Sequence, residues 1–237
     1  MILKHNHRQG EGSEWVNTLN RIRVGICNEE DEKVLKSMET TQPWLDEHAM
    51  HLFYKNKDVY QHNHKMLNKL KSELEIIEAI QYLPKGRKAI IDPSKGTIAQ
   101  TEFQQTLKIK IGARVVIVFN VNIIDGIVNG ECGKVVGIEK QNGKIFCILV
   151  QFDSKSVGEN QRQKGYAKYP YFKKKYMHLN GTPIFKESHE FNLGSKNGQY
   201  FAANAKLKQF PLRLAYAQTG HKMQVSFQFH LVCMYVF

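Results

Sequence analysis

The sequence predicts an α/β protein that carries a small antiparallel β-barrel. Apolar residues recur at helical spacing within the first eighty residues, and runs of β-branched residues begin at Leu107. The pair Asn142-Gly143 lies between two apolar runs, which is typical of a tight hairpin because both turn residues must adopt positive φ. We therefore expect helices first and then a hairpin at the centre of the barrel.

The first forty residues predict two helices. Acidic residues at 29–31 fall in the first turn of the second helix, where the helix dipole favours negative charge. Leu35 and Met38 are expected on the inner face of this helix. Pro43 is expected to end the helical stretch, because proline cannot continue a helix.

A strand and a longer helix are predicted next. Residues 49–54 are compact and apolar, as expected of a strand. Asn56 is expected to cap the following helix, because its side chain can accept a hydrogen bond from a free backbone N–H. Residues 75–82 fit either the end of that helix or a strand, and residues 92–101 predict a loop. Residues 210–217 are apolar and predict a buried strand.

Composition indicates a polyanionic partner and excludes several other classes. The 237 residues include 34 Lys+Arg against 22 Asp+Glu, a net charge of +12. Four cysteines without a C-x-x-C pair indicate free thiols in a reducing compartment. No apolar run approaches the roughly 18 residues of a membrane helix, so we expect a nuclear or cytosolic protein. His5-x-His7 and His62-x-His64 lack partners at zinc spacing, and no metal site is expected.

The basic charge is concentrated between Lys134 and Lys186. This segment holds eleven Lys+Arg against three Asp+Glu, and the aromatic residues of 166–176 interleave with its lysines. Aromatic faces beside lysines favour a groove that stacks bases and follows phosphates, with Lys173 and Lys174 as candidate contacts. A solvated, partly disordered basic loop explains the same pattern equally well.

Four segments, in order, resemble the PIF/Helitron-type DNA helicases of superfamily 1. The third is the most specific of the four, and in the family it leads into an inserted small β-barrel. The fourth resembles the family's T-x-H-K-x-Q-G motif. The segments are residues 6–9 with 19–25 and 29–31, residues 52–63, residues 107–133, and residues 209–224.

The resemblance implies a fold and an activity. It implies a partial second RecA-like domain from residues 1–129 and 196–225, an inserted SH3-like β-barrel at 130–195 and a divergent tail at 226–237. It also implies ATP-dependent, 5′-to-3′ DNA unwinding with ATP and Mg²⁺ as cofactors. DNA repair, recombination and telomere maintenance in the nucleus are the processes that the family suggests.

The resemblance also assigns site residues. Arg8 is a possible γ-phosphate contact, because a planar guanidinium binds phosphate oxygens in pairs. Gly112 and Gly130 fit backbone turns. The residues expected to contact nucleic acid are Asn56, Asn63, Arg114, Asn120, Asn129, Gly130, Lys173, Lys174, Thr219, His221, Lys222 and Gln224.

Several helicase parts have no counterpart in these residues. The string nearest to a Walker A loop, residues 137–145, has one residue too many and lies in the predicted hairpin. Val225 stands where the motif continues with glycine, and no final arginine motif follows. We therefore expect a chain truncated at both ends that binds no ATP tightly alone.

The expected partners are single-stranded DNA and a separate N-terminal RecA-like domain. Two further readings stay open: a non-catalytic module that binds single-stranded nucleic acid, and a transposon-derived remnant without activity.

Overall fold

The computed structural model describes residues 14–37, 50–83, 91–92, 96–98, 101–192, 195–196, 199–200, 204–220 and 232–234. It divides into two compact units, residues 1–47 and residues 48–237. No helix in these described ranges is both long enough and apolar enough to cross a bilayer.

The first unit contains the two predicted helices, α1 (Glu14–Val24) and α2 (Glu29–Ser37). Asn28 and Asp31 form reciprocal N-terminal hydrogen bonds: the Asp31 N–H donates to Asn28 Oδ1 at 2.9 Å, and the Asn28 N–H donates to Asp31 Oδ2 at 3.1 Å. Arg21 Nε donates to Asp31 Oδ2 at 2.8 Å and ties the two helices together. A partly buried ion pair therefore joins α1 to α2.

The expected inner face of α2 is wrong in one respect. Leu35 remains 38% exposed, and the buried residue of α2 is Asp31. The charged contact with α1 therefore sets the inward side of this short helix, and the apolar pattern does not. Met38 and Pro43 lie outside the described residues.

The described residues of the second unit form three α-helices, a short 3₁₀ helix and the strands of several small sheets. In chain order they are β1 (Met50–Phe53), α3 (Asn56–Lys69), β2 (Glu75–Glu78), β3 (Ile80–Tyr82), β4 (Ile91–Asp92), β5 (Thr97–Ile98), β6 (Thr106–Ile109), β7 (Arg114–Ile117), β8 (Cys132–Gln141), β9 (Lys144–Phe152), α4 (Glu159–Lys168), α5 (Pro170–Tyr176), the 3₁₀ helix (Met177–Leu179), β10 (Thr182–Phe185), β11 (Glu187–Asn192), β12 (Ser195–Lys196), β13 (Gln199–Tyr200), β14 (Asn204–Gln209), β15 (Leu212–Leu214), β16 (Ala217–Thr219) and β17 (Val232–Met234).

A parallel sheet has the strand order β16-β1-β17. The strand predicted at 49–54 is confirmed as β1, and its His51 lies opposite Ala217 of β16. The buried strand predicted at 210–217 is found as β15 and β16. The segment expected to be a divergent tail supplies β17, which pairs with β1 in parallel.

A five-stranded antiparallel sheet has the order β10-β9-β8-β7-β15. The predicted hairpin is confirmed, with positive φ of 51° at Asn142 and 74° at Gly143. The closed barrel is not found: among the described residues β10 and β15 are open edges of this sheet. Helix α4 covers the β10 edge, where Gly165 packs against Pro183. The helix therefore occupies the position that a neighbouring strand would need in order to close a barrel.

The basic segment folds as α4 and α5, which corrects the expectation of a base-stacking groove. Phe172 and Tyr176 are 0% and 3% exposed and pack on the sheet. The Tyr166 hydroxyl donates to the Gly181 carbonyl at 2.9 Å. These rings are therefore part of a small core, and Tyr171, at 47% exposure, faces solvent instead.

Three further expectations about the first half of the chain are settled. Helix α3 ends at Lys69, and residues 75–82 form strands, because Ile77 faces the core while Ile76 faces solvent at 57% exposure. Asn56 is the first residue of α3; the capping position is Lys55, with no side-chain cap bond. The loop predicted at 92–101 contains β5.

The main core lies between α3 and the antiparallel sheet. Its members include Leu67, Ile109, Ile148 and Phe210, each at most 1% exposed. Burying side chains of this size contributes about 1.5–3 kcal/mol each. This core fixes α3 over the ends of β1 and β16.

Candidate functional site

A small cleft of about 50 Å³, open to solvent, lies where the parallel strands β1 and β16 end. In open α/β sheets, ligands bind outside the carboxyl ends of parallel strands, and helix α3 follows β1 at this edge. Residues of α3, β6, β15 and β16 form its walls. The lining residues are Asn56, Val59, Tyr60, Asn63, His64, Gln104, Thr106, Leu107, Lys108, Arg213, Leu214, Gln218 and Thr219.

Three of the residues predicted from sequence meet in this cleft: Asn56, Asn63 and Thr219. They come from two segments more than 150 positions apart, which the pairing of β1 with β16 brings together. Thr219 is 7% exposed and is the last residue of β16. Arg8, His221, Lys222 and Gln224 lie outside the described residues.

Asn63 positions one wall of the cleft. Its Oδ1 accepts hydrogen bonds from the backbone N–H groups of Tyr216 and Ala217, each at 2.9 Å. Its Nδ2 donates to the Ala217 carbonyl at 3.2 Å. The Asn63 side chain is 4% exposed, and its amide binds the backbone at the start of β16. Asn63 therefore fixes α3 to β16.

Other predicted residues lie outside the cleft lining. Arg114 Nη2 donates to Asp153 Oδ2 at 2.8 Å, and this pair joins the start of β7 to the end of β9. Asn120 Oδ1 accepts a hydrogen bond from the Asn129 N–H at 2.8 Å. Gly130 has a φ of 100°, as expected of a glycine turn. Their contact with nucleic acid stays a prediction.

Lys173 and Lys174 also lie outside the cleft, exposed on α5. The predicted Gly112 turn has a φ of 92°. Arg114 lies on the antiparallel sheet, and Lys173 and Lys174 lie on the helix α5 that packs on it. The residues predicted to contact nucleic acid are therefore divided between the cleft and this sheet with its helices.

The aromatic pair that lines the cleft was not predicted from sequence. Tyr60 is 40% exposed, and its ring meets the His64 ring edge-on at 4.1 Å between centroids. Burial, followed by the charge of Lys108, lowers the pKa of His64 and favours the neutral imidazole. The spacing of Asn56, Tyr60 and Asn63 along one helix was the signal that could have found this part of the lining.

Two polar contacts hold the segments that carry the lining residues Arg213 and Gln104. Arg213 Nη1 donates to Glu102 Oε2 at 3.0 Å. The Gln209 side-chain amide donates to the carbonyls of Ile77 and Gln104 at 3.0 and 3.2 Å. These bonds leave an ammonium, hydroxyls and an aromatic face around the opening, which are groups that suit phosphates and a stacked base.

The described residues do not fit a nucleotide cradle. The string at 137–145 that approaches a Walker A loop forms the end of β8, the turn and the start of β9. A phosphate-binding loop needs a strand-to-helix turn whose N–H groups converge. Within the described ranges, no three His, Cys, Asp or Glu residues are grouped so that they could hold a metal ion.

Comparison with known proteins gives one consistent result. The ATP-dependent DNA helicase Pif1 of Campylobacter jejuni is 28% identical over 95% of this chain, which covers 46% of that protein. The ATP-dependent DNA helicase PIF1 of Rattus norvegicus is 30% identical over 128 residues, 54% of this chain and 19% of that protein. Homologues of this chain are Pif1 helicases. No family model matches.

Solved Pif1 structures share the fold. Unliganded Pif1 from Bacteroides sp. has a TM-score of 0.63 at 20% identity and covers 94% of this chain and 43% of that chain. Bacteroides sp. Pif1 in complex with ADP-AlF₄ scores 0.58 at 21% identity, with 89% and 40% coverage. Bacteroides Pif1 bound to single-stranded DNA scores 0.56 at 21% identity, with 93% and 42% coverage.

The chain therefore corresponds to a part of the Pif1 relatives. It spans about half the length of the Campylobacter protein and about a fifth of the rat protein. The mixed α/β fold with parallel and antiparallel sheets is shared with the Pif1 structures, as the sequence predicts.

Proposed function

We propose that this chain is the single-stranded-DNA-gripping, C-terminal part of an ATP-dependent, 5′-to-3′ DNA helicase. The observation that carries the proposal is the cleft at the ends of β1 and β16, which collects Asn56, Asn63 and Thr219. The Pif1 relatives are named as ATP-dependent DNA helicases, and one structural neighbour is bound to single-stranded DNA.

The cleft offers the groups that a single strand needs. Lys108 lies in the cleft lining and suits a phosphate, and the half-exposed Tyr60 ring in the same lining suits a base. Base–aromatic stacking contributes about 1–3 kcal/mol per base and tolerates any sequence. A strand of any sequence therefore fits this cleft.

Nucleotide chemistry is assigned to a separate RecA-like domain. The described residues do not form a phosphate cradle, so ATP and Mg²⁺ would be held by that domain, with Arg8 as a proposed γ-phosphate contact. We expect this chain alone to show no DNA-stimulated ATP hydrolysis. Stimulated turnover that Arg8→Ala abolishes would refute this division of labour.

We further propose the division into a RecA-like part, residues 1–129 and 196–225, and an insertion at 130–195. A small core that includes Leu149, Phe172 and Tyr176 is built within the insertion alone. The insertion shares its sheet with β7 and β15, so the inserted module is an open sheet covered by helices. Nuclear or cytosolic location and the roles in repair, recombination and telomere maintenance belong to the same proposal.

Fluorescence anisotropy with labelled oligothymidylate tests the cleft. Tyr60→Ala should weaken binding by about 5- to 150-fold, which corresponds to the loss of one stacked base. Lys108→Gln should weaken binding and reduce the slope of log K against log salt by about 0.7. The matched controls are Tyr82→Ala, at an exposed tyrosine of β3, and Lys71→Gln, at an exposed lysine after α3.

Equal affinities for Tyr60→Ala and Tyr82→Ala would contradict the assignment of the cleft. If the unaltered chain fails to bind at low salt, the single-strand grip itself is wrong. Strong binding without any ATPase activity, even with an added RecA-like domain, would favour the non-catalytic binding module.

A further inference from the structure

Asn-Gly pairs occur at four places in the sequence: residues 129–130, 142–143, 180–181 and 197–198. Such a pair is open to an attack of the glycine backbone nitrogen on the asparagine side chain, because glycine has no Cβ to shield that nitrogen. The structure describes the first three pairs, and the fourth lies outside the described residues. The surroundings of the glycine nitrogen distinguish the three described pairs from one another.

Two of the described pairs hold their glycine nitrogens in hydrogen bonds. The Gly130 N–H donates to the Ile117 carbonyl at 2.9 Å, and the Gly181 N–H donates to the Tyr176 carbonyl at 3.2 Å. Gly181 is also buried. Each of these nitrogens must therefore break a hydrogen bond before it can react.

The pair Asn142-Gly143 differs in each of these respects. Every residue of the turn from Gln141 to Lys144 is exposed, and a Cβ built on Gly143 would meet nothing within 4 Å. Gly143 lies between strands β8 and β9, and among the described residues its N–H has no hydrogen-bond acceptor. The turn is held at its base, where Gln141 pairs with Lys144. The nitrogen of Gly143 is therefore open to reaction in the folded chain.

We propose that Asn142 is a site of spontaneous deamidation, at which its side chain and the Gly143 nitrogen close a cyclic imide. The Gly143 nitrogen gives up its proton and forms a bond to Asn142 Cγ, and the bond from Cγ to the side-chain nitrogen breaks to release ammonia. Water then opens the imide. Cleavage at Cγ gives aspartate, and cleavage at the backbone carbonyl gives isoaspartate, whose chain continues through Cβ.

Both products change the tip of the hairpin. Each adds a carboxylate and lowers the formal net charge of +12 by one. Isoaspartate also lengthens the backbone of a two-residue turn that depends on positive φ at Asn142 and Gly143. The longer turn no longer matches the pairing of Gln141 with Lys144, so the end of the hairpin opens. The isoaspartyl carboxylate is exposed there and fits an isoaspartyl methyltransferase that uses S-adenosylmethionine.

Incubation of the full chain at pH 8, followed by chymotryptic peptide mapping with mass spectrometry, tests the proposal. Conversion at Asn142 should be faster than at Asn129 or Asn180 by more than about fivefold, because the other two sites must first open locally. In urea the three rates should converge, since the hydrogen bonds that separate them are lost. Conversion should be slower at pH 6, because the attacking nitrogen must lose its proton.

A second measurement uses isoaspartyl methyltransferase with labelled S-adenosylmethionine on two variants, both carrying Asn197→Gln to remove the fourth pair. Asn142→Gln should abolish most of the methyl incorporation, because glutamine would have to close a larger ring. The matched control is Asn180→Gln, which should leave incorporation unchanged. Asn142 and Asn180 both have a φ of 51°, so the two substitutions impose the same backbone strain.

Three results would overturn the proposal. The first is conversion at Asn129 or Asn180 that keeps pace with Asn142 in the folded chain. The second is methyl incorporation that Asn142→Gln leaves unchanged. The third is an unconverted Asn142 in the folded chain after a time in which the chain in urea converts it fully, since the turn would then protect the pair.

Discussion

Asn63→Ala should lower the stability of the second unit strongly, although the side chain lines the cleft. The substitution removes three hydrogen bonds and leaves the N–H groups of Tyr216 and Ala217 without their acceptor in a buried site. Each unsatisfied buried group costs about 1–3 kcal/mol, so we expect a loss of about 3 kcal/mol. For a unit of this size, that loss lowers Tm by about 6–12 °C.

Thermal unfolding followed by circular dichroism, with urea titration as a second measurement, checks this value. The matched control is Asn68→Ala, because Asn68 lies on the exposed side of the same helix. That change should stay within about 0.5 kcal/mol of the unaltered chain. A Tm for Asn63→Ala within about 2 °C of the control would refute the role of Asn63 as the link between α3 and β16.

Three further changes have expected outcomes. The hydrogen bond from Arg21 lowers the pKa of Asp31. The ion pair should therefore stabilise the first unit at neutral pH, and this stabilisation should decrease as pH falls below about 4. Asp31→Asn should flatten that acid transition in circular dichroism. Gly165→Ala should destabilise by about 1–3 kcal/mol in urea titration, because the new Cβ would meet Pro183 Cγ at 2.4 Å, and a stabilised variant would contradict this packing. Maleimide at pH 8 should label the exposed Cys27 and spare Cys132, whose pKa burial raises to about 12; peptide mapping by mass spectrometry should show no early label on Cys132.

Local patterns were sufficient for the elements that local chemistry specifies. The Asn142-Gly143 hairpin, the acidic start of α2 and the strand at 49–54 were all predicted correctly. In each case the decisive residues are neighbours in sequence, and their conformation depends little on distant contacts.

Features that depend on tertiary contacts were predicted less well. The aromatic residues of 166–176 looked like a stacking surface, because sequence does not show that Phe172 and Tyr176 point into a core. Asn56 was expected to cap α3, yet the helix begins at that residue. The cleft lining combines Tyr60 and His64 of a helix with Lys108 of a strand, which lies more than forty positions later in the chain, so no local motif marks the cleft.

The pairing of β1 with β16 has a consequence for the synthesis of this protein. His51 of β1 cannot pair until Ala217 of β16 has been synthesised. At about 5–20 residues per second, translation of the intervening chain takes roughly ten to thirty seconds. During that time β1 lacks its β16 neighbour and presents an unpaired edge to chaperones or to other nascent chains. The cleft at the ends of these two strands cannot form before β16 is made, so a shorter nascent chain lacks it.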